Sequence, residues 1–140
     1  MKPTIKSMIA SMLEKQEEVY SLVEELRDNW ENEQKILEIF TSAPQHCLVH
    51  PQISSLFTDF LQLPIAESIL TTNDLKSIEK IYEMNIALMA NDLSHYEELA
   101  HFYTSVYDDE KKALKTIRIG VKNAKATLGN LRRIRNALEE

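Results

Sequence analysis

Residues 4 to 41 place apolar side chains at the alternating three- and four-residue spacing of one helical face. Nine of the eleven positions on this face are apolar, and the two exceptions are Gln16 and Glu33. No glycine or proline interrupts the pattern. The spacing therefore predicts one continuous helix from about Thr4 to Thr41, which would reach about 55 Å at 1.5 Å per residue.

The middle of the chain is divided into shorter segments by prolines. Pro44 and Pro51 bracket a break at Ser42–Pro51, and Pro51 suits the first turn of a helix because its missing N–H is not needed there. The apolar face of this second helix continues to the residues before Pro64. Two further helical turns are predicted over Ile65–Leu70.

Two polar clusters predict where the following helices begin. The residues from Thr71 to Asp74 form a cap cluster in front of an apolar series that continues to Met89. Ser94, followed by Glu97 three residues later, has the pattern of a capping box. A helix is therefore expected after each cluster.

The last part of the chain resumes the helical repeat and carries it to Leu138, which predicts a long C-terminal helix. Small residues in this helix would let a neighbouring helix approach closely, and they are Ala113, Gly120 and Ala124. Glycine weakens a helix by about 1 kcal/mol relative to alanine. We therefore expect a fray or kink at Gly129 and Asn130.

The composition agrees with an all-helical chain. Only 2 glycines and 4 prolines occur in 140 residues. These are too few for the turns of a sheet protein, and two glycines cannot form a glycine-rich phosphate-binding loop. A hydrophobic fraction of 44% is that of a folded protein. We predict an all-α fold: a single domain over residues 1–140, built as an elongated bundle of four to five helices with long N- and C-terminal helices.

The net charge of −6 is unevenly divided along the chain. Residues 1–110 hold 7 basic and 20 acidic side chains, whereas residues 111–140 hold 9 basic and 2 acidic ones. Charged positions beside an apolar seam are those that select a partner helix. Six basic residues recur at helical spacing about a quarter turn from the apolar stripe of the last helix, and they are Lys111, Lys115, Arg118, Lys122, Lys125 and Arg132.

Three interpretations of this basic row stay open. The row can be neutralised within the chain or simply solvated, it can bind a second protein chain, or it can bind nucleic acid or an anionic membrane. The acidic remainder of the chain and the absence of aromatic residues among residues 111–140 argue against the last interpretation. The six basic residues, together with Trp30 of the first helix, are the partner-binding candidates.

Two imidazoles and a thiol lie within five residues at the proline-flanked break, and they are His46, Cys47 and His50. These are zinc-ligand types, but a structural zinc site needs four ligands, and no second pair of such residues exists to complete them. A three-ligand site would require His95 or His101 to join them. Because Cys47 is the only cysteine, an internal disulfide is excluded.

Acidic residues form two further patterns of metal-site type. Glu98 and His101 have the Glu-x-x-His spacing of di-iron bundles, but the sequence holds no second such pair. Two acidic pairs on the first helix lie about 11 residues apart, too far to share one ion. The acidic residues of this helix are expected to form a solvated face, and they are Glu14, Glu17, Glu18, Glu24, Glu25 and Asp28. We predict no catalytic residue, metal or cofactor.

The length of the first helix predicts self-association as a dimer. Part of its stripe, including Leu26 and Trp30, would lack cover from the shorter helices. An antiparallel pair of helices would set Gln16 of one chain against Glu33 of the other and fix the register. The alternative is that the last helix runs antiparallel to the first and covers its stripe.

These patterns predict a non-enzymatic helical module for protein–protein interaction, such as an adaptor, a secretion-type chaperone or a regulatory subunit. The expected partner is another protein chain, with a second copy of this chain as one option, and neither nucleic acid nor a membrane is expected. The chain shows neither a signal peptide nor a membrane-spanning run, so the cytoplasm is the expected compartment. Two alternatives remain: a metal-dependent enzyme of the helical-bundle type around Glu98 and His101, and polyanion binding through the C-terminal helix.

Overall fold

The structure is a computed structural model that describes residues 2–62 and 70–140, and these residues form helices and no strand. The helices are α1 Ile5–Asp28, α2 Glu33–Ser42, α3 Gln45–Leu48, α4 Pro51–Phe60, α5 Thr72–Leu88, α6 Leu93–Val106 and α7 Glu110–Glu139. The all-α prediction is confirmed. The predicted four to five helices are not, because the described residues alone contain seven. The helical turns predicted at Ile65–Leu70 lie outside the described residues, apart from Leu70 itself.

The chain divides into two compact units. The N-terminal unit is Met1–Leu70, which holds α1 to α4, and the C-terminal unit is Thr71–Glu140, which holds α5 to α7. The single domain and the elongated shape stay predictions, since two compact units are compatible with one domain or with two.

The predicted helix from Thr4 to Thr41 is wrong as a continuous element, because it stops at Asp28 and restarts at Glu33. Two asparagine side chains explain the break. The amide of Asn29 donates to the carbonyl of Glu25 at 2.8 Å, and Asn32 accepts from the backbone N–H of Lys35 at 3.1 Å as the N-cap of α2. Such side-chain bonds compete with the backbone bonds of a helix.

The core of the N-terminal unit is formed by the C-terminal end of α1 together with α2, α3 and α4. Its buried members are Leu22, Val23, Leu26, Ile36, Ile39, Phe40, Cys47, Ile53 and Phe60. The rings of Phe40 and Phe57 meet edge to face with 5.1 Å between centroids. Pro51 occupies the first turn of α4, as predicted. The first half of α1 contributes nothing to this core, since residues 5–17 are all exposed.

The caps of α5 and α6 are set by local side chains. Thr71 and Asp74 form a reciprocal capping box at the start of α5, which confirms the predicted cap. The predicted cap of α6 at Ser94 is wrong by two residues, because Asp92 is the N-cap. The Asp92 carboxylate accepts from the N–H of Ser94 at 3.1 Å and from its hydroxyl at 2.7 Å, and these bonds lower the pKa of Asp92.

The C-terminal unit packs α6 between α5 and α7. Its core is rich in tyrosine, and Tyr82, Tyr96, Phe102 and Tyr103 are all buried. A Cβ on Gly120 would lie 2.9 Å from Cγ of Tyr96, so the predicted close approach of a neighbouring helix is confirmed. The predicted fray at Gly129 is wrong, because α7 continues without interruption to Glu139.

Candidate functional site

The first half of α7 packs against α6, whereas its last residues, 128–139, are exposed to solvent, and we call them the bare half of α7. The buried residues of α7 are Ala113, Thr116 and Gly120, and no residue after Gly120 is buried. Two hydrogen bonds mark the end of the covered part. The Asn123 amide donates to the Tyr96 hydroxyl at 2.7 Å, and the Thr127 hydroxyl donates to the side-chain oxygen of Asn91 at 3.1 Å. Every residue from 128 to 140 is exposed.

The covered face of α7 continues into the bare half in the same register. The buried positions 113, 116 and 120 are followed at three- and four-residue steps by 124, 127, 131, 134 and 138, which lie on the same face. The last three are Leu131, Ile134 and Leu138, with 59, 57 and 82% of their surface exposed. We call Leu131, Ile134 and Leu138 the C-terminal stripe. An amphipathic face of this kind is normally buried against a partner.

The six predicted basic residues lie together on the side of α7 opposite this face. All of Lys111, Lys115, Arg118, Lys122, Lys125 and Arg132 are exposed. At 100° per residue they occupy one arc of α7 that is centred about half a turn from the C-terminal stripe, and about a quarter turn from the exposed side chains of Leu114, Val121 and Leu128. The structure shows no ion pair between any of them and a carboxylate of residues 71–140. Of the six, Lys115 lines a groove opposite two carboxylates, those of Glu79 and Glu83.

The seventh partner-binding candidate, Trp30, belongs to the other unit. It lies in the turn between α1 and α2, half-buried, and packs against the core of the N-terminal unit. Leu26, which was expected in an uncovered stripe, is completely buried in the same core. The apolar surface that α1 leaves open is its first half instead, with Ile5, Ile9 and Met12 among its exposed side chains.

The structure gives Glu98 and His101, the pair of the metal-dependent alternative, different neighbours. The nearest imidazole to the Glu98 carboxylate that the structure shows is that of His95, with 3.6 Å between His95 Nδ1 and Glu98 Oε2. His101 is exposed, and its ring lies beside the hydroxyl of Ser105. Among the residues described, neither Glu98 nor His101 belongs to a group of three ligands.

The described residues do bring one set of metal-ligand types together, in the N-terminal unit. Possible ligand atoms of Glu18, His46 and Cys47 all lie within 4.8 Å of one another. The His46 ring is hydrogen-bonded to the Glu18 carboxylate. His50 is not part of this group, and its Nδ1 accepts from the N–H of Gln52 at the start of α4.

Burial and charge shape the chemistry of Cys47. Burial raises the pKa of its thiol, the carboxylate of Glu18 raises it further, and the ammonium group of Lys15 opposes them. The free thiol is therefore neutral near pH 7 and a poor nucleophile. Glu18 was expected on a solvated face, and this is wrong because it is half-buried against His46.

A groove of about 320 Å³ lies between α5, α6 and α7. Glu79 and Glu83 line one side, and Lys112 and Lys115 line the other. The Tyr103 hydroxyl donates to Glu79 at 2.9 Å, and the Lys112 ammonium lies 5.5 Å from the centre of the Tyr103 ring. Burial, followed by the effect of Glu79, raises the pKa of Tyr103.

Comparison of the chain with protein families, with curated proteins and with solved structures finds no match. Among the described residues, no helix has both the length and the apolar character needed to cross a membrane.

Proposed function

We propose that the protein is a non-enzymatic interaction module, and that the second half of α7 binds an amphipathic helix of another protein chain. The observation that carries this proposal is the continuity of one helical face. Where α6 covers it, the face is buried at Ala113 and Gly120; beyond Thr127 the same face is exposed at every position. A helix laid along the C-terminal stripe would contact it at three- and four-residue steps.

The energetics favour a partner that contacts more of α7 than the C-terminal stripe. Burying the three side chains of the C-terminal stripe gains about 5–9 kcal/mol in total. The loss of translational and rotational freedom on association costs about the same or more. Contacts beyond the three side chains are therefore needed, and the exposed basic row, about half a turn round α7 from the stripe, offers them only to acidic residues of a partner that reaches round the helix.

The same charges favour a protein over a polyanion. The remainder of the chain, residues 1–110, carries 13 more acidic than basic side chains, and it would repel a nucleic acid or an anionic membrane. The basic segment, residues 111–140, also has no aromatic residue on which a base could stack. An adaptor, a secretion-type chaperone or a regulatory subunit acting in the cytoplasm would each use such a surface.

A second copy of this chain is the second candidate partner, and the exposed first half of α1 favours it. Ile5, Ile9 and Met12 form an apolar face that the described part of the N-terminal unit leaves open. The antiparallel pairing of Gln16 with Glu33 along one helix is wrong, because these residues belong to different helices. Self-association would instead use only the first half of α1.

Two paired substitutions test the proposed surface. Leu131→Asp with Ile134→Asp places charge on the C-terminal stripe, and Met84→Asp with Leu88→Asp places it on exposed apolar residues of α5. Both double variants should fold as the wild type does by circular dichroism. We expect only the α7 variant to lose the proteins that co-purify with the wild-type chain.

The alternatives give different results with the same proteins. Equal recovery of partner proteins by both double variants would contradict the proposal. Tight binding to anionic vesicles or heparin that weakens steeply with salt would assign the row to a polyanion instead. A doubled mass in light scattering that the first-half variant Ile9→Asp abolishes would assign the apolar surface of α1 to a second copy.

A further inference from the structure

The short helix α3 brings two metal-ligand types against α1. It spans only Gln45–Leu48, between Pro44 and the segment that leads to Pro51. Cys47 points into the core with no exposed surface, whereas the neighbouring His46 is exposed. Because successive side chains of a helix are about 100° apart, these two can reach the same point on α1 from different directions.

The third ligand type comes from the buried face of α1. Glu18 lies four residues before Leu22 and eight before Leu26, and both leucines are buried in the core. Residues at this spacing share one face of a helix, so the packing of the two leucines directs Glu18 towards α3. The Glu18 carboxylate contacts the His46 ring and lies 3.8 Å from the Lys15 ammonium.

We propose that Glu18, His46 and Cys47 form a zinc-binding site with water as the fourth ligand. Zinc takes thiolate sulfur at about 2.3 Å and imidazole nitrogen or carboxylate oxygen at about 2.0–2.2 Å, in tetrahedral geometry. These lengths separate the ligand atoms by roughly 3.3–3.6 Å. The ligand atoms already lie within 4.8 Å of one another, so small side-chain rotations would bring them to the separations of a zinc site.

The surroundings fit a zinc ion better than a hard cation. Thiolate and imidazole select zinc over magnesium or calcium, which prefer oxygen ligands. One thiolate and one carboxylate would also balance the two charges of the ion, so the ion and its ligands together would carry no net charge. The His46 and Glu18 side chains remain 41 and 36% exposed, which leaves an opening for the ion and for a coordinated water.

The alternative is an ordinary ion pair between His46 and Glu18 beside a core thiol. Metal-free, full-length protein titrated with Co²⁺ separates the two. A site that includes Cys47 gives the near-ultraviolet charge-transfer band of a thiolate–cobalt bond, and added Zn²⁺ abolishes it. We expect Cys47→Ser to remove the band, and Glu18→Gln and His46→Gln each to weaken binding about 100-fold or more, at least as much as the loss of an outer-shell partner does.

His50→Asn is the matched control. It removes the neighbouring imidazole but keeps a side chain that can cap α4. It should leave Co²⁺ affinity unchanged. If Cys47→Ser fails to fold by circular dichroism, the variants of Glu18 and His46 decide the outcome.

Three results would overturn the proposal. They are the absence of a thiolate band in the wild type, unchanged affinity in both Glu18→Gln and His46→Gln, and an equal loss in His50→Asn. The last would mean adventitious binding by surface histidines only.

Discussion

The two halves of α7 have the same three- and four-residue spacing on one face but differ in what covers it. In the first half, α6 buries Ala113, Thr116 and Gly120. In the second half, Leu131, Ile134 and Leu138 occupy the equivalent positions and are exposed. The exposed part of this face therefore carries larger apolar side chains than the buried part. This distribution is expected of a face that is completed by a partner rather than by the chain's own C-terminal unit.

The difference follows from helix length. The helix α6 has 14 residues and α7 has 30, which correspond to about 21 and 45 Å. Tyr96 near the start of α6 lies against Gly120 and Asn123, while Tyr103 near its end lies against Lys112, so the two helices run antiparallel. Because Asn91, just before α6, bonds to Thr127, more than ten residues of α7 extend beyond the start of α6.

The largest contrast should come from removing one leucine from each region. Leu99→Ala removes a side chain that is 4% exposed in the covered region, and it should lower the free energy of unfolding by about 2–5 kcal/mol because it leaves a cavity. Leu131→Ala should change it by no more than about 0.5 kcal/mol. Urea denaturation of both variants measures this, and similar losses would mean that the chain itself covers Leu131.

The two glycines of α7 should respond in opposite directions to substitution by alanine. A Cβ at Gly120 meets the base of the Tyr96 ring, so Gly120→Ala should destabilise the C-terminal unit by about 1–3 kcal/mol through overpacking. A Cβ at Gly129 meets nothing within 4 Å, so Gly129→Ala should stabilise α7 by up to about 1 kcal/mol. Thermal denaturation gives both signs. Destabilisation by Gly129→Ala would show that a neighbour approaches there.

The sequence predicted that the chain is helical, but not where every helix ends or which helix faces are buried. The cap cluster from Thr71 to Asp74 was visible because a cap is formed by residues close together in the chain, although the capping box itself was predicted at Ser94 instead. The break after Asp28 was missed because the apolar repeat continues through it, while the side chains of Asn29 and Asn32 end and restart the helix.

Contacts between distant parts of the chain left no signal in the sequence. Glu18 and His46 are 28 residues apart, and only the packing of α3 on α1 brings them together. The length of α7 that stays exposed depends on where α6 begins. The apolar repeat of α7 alone does not contain that information. His46 and Cys47 were singled out as ligand types, but their third partner was not foreseen.

The smallest effect concerns the hydroxyl of Tyr103 in the covered region. Tyr103→Phe removes its bond to Glu79 and should cost about 0.5–1.5 kcal/mol at neutral pH. The raised pKa of Tyr103 also has a consequence at alkaline pH. An unfolded tyrosine loses its proton near pH 10, before the folded one does, so stability falls as the pH rises through that value.

The variant Tyr103→Phe should therefore lose less stability than the wild type between about pH 9 and 11. The matched control is Tyr20→Phe, which removes an exposed hydroxyl from α1. It should follow the wild-type curve. Parallel curves for the wild type and Tyr103→Phe would mean that the Tyr103 hydroxyl titrates as freely as an exposed one.

Site-specific photo-crosslinking tests the central claim, that the bare half of α7 is occupied by another protein. A photoreactive amino acid is placed at Leu131 in the cell, and at Leu88 as an equally exposed control on α5. We expect a discrete adduct with a second, different protein from position 131 and none from position 88. No protein adduct at position 131, or the same adducts from both positions, would contradict the account, and an adduct of twice the chain mass would replace the foreign partner with a second copy.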